Sequence, residues 1–165
     1  MPQRTHLLLG AAAALALLVG CDGTSDLIEQ PQGQPQSVVS EADGVRLTLQ
    51  TDKLEYELGE PVAMTFEVKN TSDARRTFEF SDACQYDFLV HQGGGLVWSV
   101  GHDRMCAQAL TSLDLGPGET WTRSDAWDQR SNKDEPVGPG TYDVTASLMR
   151  MGTPLDSDTL KIVIR

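Results

Sequence analysis

The chain has 165 residues and a formal net charge of -11, from 13 Lys plus Arg against 24 Asp plus Glu. Duplex binding runs on Lys/Arg contacts to phosphate, so this surface repels a polyanion and nucleic acid is excluded as a partner. With 39% apolar residues, 22% charged residues and three cysteines, the chain is neither a membrane bundle, a charge-rich disordered protein nor a disulfide-dense scaffold.

Residues 1–20 read as an export signal. Arg4 and His6 form a short polar head, and Leu7–Val19 is an uncharged stretch too short to span a bilayer comfortably. The run Leu18-Val19-Gly20-Cys21 resembles the lipobox of bacterial lipoproteins, which makes Cys21 the expected lipid acceptor and first mature residue. Acyl chains contribute about 0.8 kcal/mol per buried CH₂, so two or three of them anchor the protein to a membrane. Asp22 resembles an inner-membrane retention signal, but the choice of membrane stays open. After Cys21, residues 22–43 are rich in Gly, Ser, Gln, Pro and acids. They show no period of 2 or 3.6 and read as a flexible tether, giving a linker over 21–44 and a folded domain over 45–165.

From Val45 the pattern has period two. Val45, Leu47 and Leu49 alternate with polar residues, as do Val62, Met64, Phe66 and Val68. Tyr142, Val144, Ala146 and Leu148 follow the same rule, and Leu160, Ile162 and Ile164 close the chain. Such alternation predicts strands with one buried and one wet face. Shorter candidates are Thr77–Ser81, Tyr86–His91, Leu96–Val100, Leu110–Leu115 and Glu119–Asp125. Turn signals separate them at Leu58–Pro61, Asn70–Asp73 and Gly93–Gly95, and Gly-Pro-Gly recurs at 116–118 and 138–140. Neither Gly-Pro-Gly opens a helix, so neither is a phosphate cradle. Eight or nine short strands predict an all-β, antiparallel sandwich, with a small barrel as the alternative.

With Cys21 lipidated, Cys84 and Cys106 remain. Beyond an export signal they are expected to be bridged, a link that stabilises by about 3 kcal/mol in the chain-entropy picture. A metal set of Cys84, His91, His102 and Cys106, or a copper site using Met105, is the weaker reading, because the Cys84–His91 spacing is too loose for a finger or ribbon. No metal and no cofactor is therefore expected. Neither a G-x-S-x-G elbow nor a specific carboxylate pair points to catalysis. The sequon Asn70-Thr71-Ser72 is idle in a bacterial-looking chain.

Between Val62 and Leu148 a set of segments stands in a recognisable order: Met64–Asp73, then Phe78–Val90 with its Gln85-Tyr86-Asp87-Phe88 core, Leu96–Ser99 with Trp98, and Ala107–Leu110. Leu115–Trp121 follows with Pro117 and Gly118, then Trp127, and Val137–Leu148 with Pro139, Gly140 and Tyr142. Together these segments resemble the BsuPI-type intracellular proteinase inhibitor family. The resemblance implies an immunoglobulin-like sandwich. It makes these residues structural or binding elements, with Tyr86, Phe88, Trp98 and Tyr142 as rings suited to the space between sheets and Gly118 and Gly140 as corners. The export signal departs from an intracellular location, and Cys84 and Cys106 look like additions for an oxidising compartment. The expected function is a non-catalytic, monomeric, lipid-anchored protein-binding module of the bacterial envelope. The alternative is a proteinase inhibitor that inserts Gln92–Gly95 or Arg123–Pro136 into a proteinase cleft.

Overall fold

The computed structural model describes residues 35–102 and 104–165. The signal segment, Cys21 and the first part of the tether lie outside the described residues. Twelve strands appear among those described: β1 (Gln36–Ala42), β2 (Val45–Thr51), β3 (Glu55–Tyr56), β4 (Val62–Asn70), β5 (Arg76–Phe80), β6 (Tyr86–Gln92), β7 (Gly95–Ser99), β8 (Thr111–Leu115), β9 (Thr120–Trp127), β10 (Gly140–Leu148), β11 (Leu155–Asp156) and β12 (Leu160–Ile164).

The strands form two main sheets. One has the order β1-β2-β4-β9, and the other runs β3-β12-β10-β6-β7 with β11 paired to β10. A separate β5-β8 ribbon completes the set. All pairings are antiparallel except β12 with β3. The protein is an all-β sandwich, as the period-two pattern predicts.

That pattern decides which side chains meet between the sheets. Val62, Met64, Phe66 and Val68 of β4 are buried, as are Val45, Leu47 and Leu49 of β2. Facing them, β10 and β12 bury Tyr142, Val144, Ala146, Leu148, Leu160, Ile162 and Ile164. Each large side chain removed from water in this way stabilises by roughly 2 kcal/mol. Phe66 and Phe88 meet edge to face across the gap, with centroids 6.4 Å apart.

The tether ends earlier than the sequence pattern indicates. Residues 36–42 form β1, which pairs with β2 from Gln36↔Thr51 to Ala42↔Val45. Asp43 and Gly44 join the two strands at φ 49° and 73°, the left-handed pair that a tight two-residue hairpin requires. The inward positions of β1 are only half-buried, which leaves little hydrophobic alternation to read. β3 and β11 have two residues each and also lack a legible period.

Candidate functional site

The edge where β7 and β9 approach one another gathers most of the motif residues. It has two arms, one on each side of Trp98.

The first arm is the loop between β9 and β10. It begins at Trp127, which is fully buried and whose Nε1 donates to the Arg130 carbonyl at 2.7 Å. It ends at Tyr142, whose hydroxyl donates to the Gly138 carbonyl at 2.7 Å. The two rings pack against one another with centroids 5.3 Å apart, and Trp98 lies 6.4 Å from Trp127 on the outer side. Burial raises the Tyr142 hydroxyl above its ordinary pKa, an effect that a hydrogen bond from Gln92 opposes.

Between these ends, Gln129 is a buried clamp with 2% exposure and φ 61°. Its amide donates to the Glu57 and Glu60 carbonyls and accepts from the Gly59 N–H. The tip is a closed turn, with Asp134 N–H donating to the Ser131 carbonyl and Ser131 N–H to the Glu135 carbonyl, both at 2.8 Å. Arg130 pairs with Asp134 across it. Asn132 straps the tip to the outer edge of β7: its N–H donates to Val97 O, and its side-chain oxygen accepts from Ser99 N–H. Lys133, Asp134 and Glu135 face solvent.

The second arm is the β7–β8 connection, held by the Gln85-Tyr86-Asp87-Phe88 core. Asp87 accepts from Gly101 N–H at 2.9 Å. The approach is close, since a Cβ on Gly101 would lie 2.8 Å from the Asp87 carboxylate. Burial pushes the Asp87 carboxyl above its usual range, and the amide donors and the nearby Arg104 charge pull it back in part. Gln85 donates to Thr111 Oγ1. Cys84 and Cys106 form a disulfide with Cα atoms 5.6 Å apart. Asp82, Cys84 and Cys106 bring three ligand-type atoms within 4.8 Å of one another, but the bridge consumes both thiols. It therefore dissolves the metal set of Cys84, His91, His102 and Cys106.

Arg104 closes the space between the arms. It stacks on the Tyr86 ring at 4.6 Å, donates to the Tyr86 hydroxyl at 2.9 Å and pairs with Asp125 at 3.0 Å. Tyr86 in turn meets Trp121 edge to face at 6.0 Å, and Arg123 lies over the Trp121 ring at 4.2 Å. The result is an open cleft of about 360 Å³ lined by Trp98, Ser99, Val100, Arg104 and Asp125. A half-buried indole beside a guanidinium suits recognition of another protein.

Several expectations shift accordingly. Phe88 and Tyr142 fill the space between sheets, but Tyr86 and Trp98 are only half-buried and sit at its rim. Trp98 lies on the edge strand β7, and Tyr86 opens β6 beyond the residues that β7 pairs, which leaves one side of each ring uncovered. Gly118 takes φ 75° in the turn after Pro117, which glycine adopts at no steric cost. Gly140, after Pro139, also keeps a positive φ of 156°, a conformation that residues with a Cβ rarely adopt, and a Cβ there would lie 2.7 Å from the flexible Gln92 amide. The candidate insertion loops also change. Arg123–Trp127 belongs to β9, so that segment begins as ladder-paired strand. Gln92–Gly95 is a tight hairpin turn on Gly93 and Gly94 and offers no side chain at its tip. The sequence pattern did not single out Arg104, Gln129 and Asn132. Each is a lone polar residue in a loop, and its role depends on groups far away in the chain.

Residues 49–153, more than half of the chain, match the family described as BsuPI, intracellular proteinase inhibitor. No curated protein matches the chain at significance. Among solved structures, the CARDB domain of a Pyrococcus furiosus protein in complex with di-metal ions is similar at 15% identity and a TM-score of 0.42, covering 76% of this chain and 95% of that one. A Listeria innocua β-glucosidase is similar at 17% identity and TM-score 0.41, over 73% of this chain. The chain spans only 16% of that enzyme's length. The Pseudomonas fluorescens alkylpurine DNA glycosylase AlkC is similar at 14% identity and TM-score 0.43, over 70% of this chain and 28% of that one. The motif segments that frame both arms fall within the matched residues, and the chain belongs to the BsuPI intracellular proteinase inhibitor family.

Proposed function

We propose that this chain is a non-catalytic protein-binding module, lipid-anchored through Cys21 in the bacterial cell envelope, and that it binds with the β7–β9 edge. The carrying observation is the pre-built recognition edge. The tip of the 128–139 loop is strapped to β7 by Asn132 and its base is clamped by Gln129, beside the Trp98–Arg104 cleft. A surface already ordered before binding loses little conformational entropy on association. Crosslinking from native membranes tests the reading: wild-type protein should capture one recurrent envelope partner, and Trp98→Ala should lose it. Capture that never recurs, or that ignores Trp98, would overturn it. Palmitate labelling that Cys21→Ala abolishes is the expected sign of the anchor.

Family membership favours a second reading, inhibition of an envelope or secreted proteinase with Lys133 at the loop apex. The closed 131–134 turn does not present the extended main chain that a proteinase cleft takes up by strand-like pairing. This reading requires tight, stoichiometric inhibition in a proteinase panel that Lys133→Ala abolishes.

A further inference from the structure

A second concave surface, remote in sequence from the β7–β9 edge, gathers three guanidinium groups of a strongly acidic chain. Arg75, Arg76 and Arg150 line a cleft of about 490 Å³ beside the β1–β2 turn, together with Asp43 and Glu79. Three cations face two carboxylates there, so the cleft carries net positive charge within a protein of formal charge -11. Like charges held together raise each other's energy, and a bound anion relieves that cost.

The guanidinium groups also keep donors unspent. Arg150 uses Nε on the Thr153 carbonyl at 2.8 Å and one Nη on Asp43 at 2.7 Å. Arg76 donates one Nη to the Asp43 carbonyl, and its buried Nε has no hydrogen-bond partner. Arg75 is exposed and makes no ion pair among the described residues. A guanidinium offers five N–H donors in a fork matched to a carboxylate. The cleft continues past Glu79 and Met151, which it shares with an adjoining groove of about 310 Å³. That groove contains Phe80 and Leu110, with Leu110 79% exposed and Met151 53% exposed.

We propose that this surface docks an acidic peptide segment of a partner protein, with a carboxylate on Arg75, Arg76 and Arg150 and a neighbouring apolar side chain on Leu110 and Met151. Charge complementarity selects the occupant. A modest local positive excess suits single carboxylates, and the adjoining apolar groove suits a side chain beside them.

The test uses the full-length chain in non-ionic detergent and a fluorescein-labelled peptide of Asp-Leu-Ser repeats, read by anisotropy. The expected result is salt-sensitive binding that Arg75→Glu weakens by about tenfold or more, as loss of a charge-assisted contact implies. Arg75 is exposed, so this variant should keep the wild-type melting temperature, and Leu110→Ser should weaken binding independently. Three outcomes overturn the proposal: equal binding of the Asn-Leu-Ser peptide, affinity unchanged in Arg75→Glu, or displacement by glycerol phosphate at concentrations where acetate has no effect. The last would assign the cleft to phosphate headgroups.

Discussion

Trp127 and Tyr142 pack ring against ring, and each spends its polar atom on one end of the same loop: Trp127 on the Arg130 carbonyl and Tyr142 on the Gly138 carbonyl. Core packing and loop conformation are thereby one structure. Gln129, between them, ties the loop to the 57–60 turn.

Replacing Gln129 tests that coupling. Gln129→Ala leaves two carbonyls and one N–H without their partners, an expected loss of about 3 kcal/mol. Gln129→Gly loses the same bonds but relaxes the left-handed backbone, so it should be less damaging than Ala by about 1 kcal/mol. Urea unfolding measures both. A loss below about 1 kcal/mol for Ala would show that the clamp does not hold the loop.

Asn70 is a second buried clamp, with no solvent exposure. Its amide donates to the carbonyls of Ala74, Leu115 and Gly116, tying the turn after β4 to the corner before β9. Asn70→Ala should cost about 3 kcal/mol through unpartnered carbonyls, and Asn70→Asp more, because it puts a carboxylate among acceptors. Thermal unfolding orders the two variants, and an Asp variant as stable as wild type would refute the account. Burial of this amide also removes the sequon as a modification site.

Cys84 and Cys106 lie 22 positions apart and clip the start of β6 to the β7–β8 connection. Removing both with Cys84→Ser and Cys106→Ser should lower stability by about 3 kcal/mol. Denaturation with and without reductant measures this. Mass spectrometry showing two free thiols in the native protein would contradict the bridge.

Asp87 predicts a pH signature. Its carboxyl titrates above the ordinary value in the folded state because burial penalises the charge, so the native state holds its proton longer than the unfolded chain does. Stability from this group therefore falls as pH rises from the ordinary carboxylate range through the raised value. Asp87→Asn keeps an oxygen for Gly101 N–H and removes the penalty. Its advantage over wild type should be largest at neutral pH and vanish in acid. An advantage independent of pH would exclude Asp87 as the source.

Period-two alternation made β2, β4, β10 and β12 legible, because a half-buried strand must place apolar residues on one face whatever it packs against. It also made the sandwich and its inward residues legible. β1 escaped that reading: its inward positions are Gln36, Val38, Ser40 and Ala42, only half-buried and half of them polar. The usable signal was the Asp43-Gly44 turn, which demands two strands to join.

The opening features end in different places. Acidity and cysteine count, read from the sequence alone, argue against nucleic acid and for one bridge. Only the tertiary structure decided that Tyr86 and Trp98 stand at the rim and that Arg104 stacks between Tyr86 and Asp125. It also decided that Arg150 joins the adjacent Arg75 and Arg76 in one cleft. Strand periodicity is local, set by the backbone's alternation. Clamps and clefts depend on which distant groups the fold brings within hydrogen-bond reach, and no local pattern encodes that.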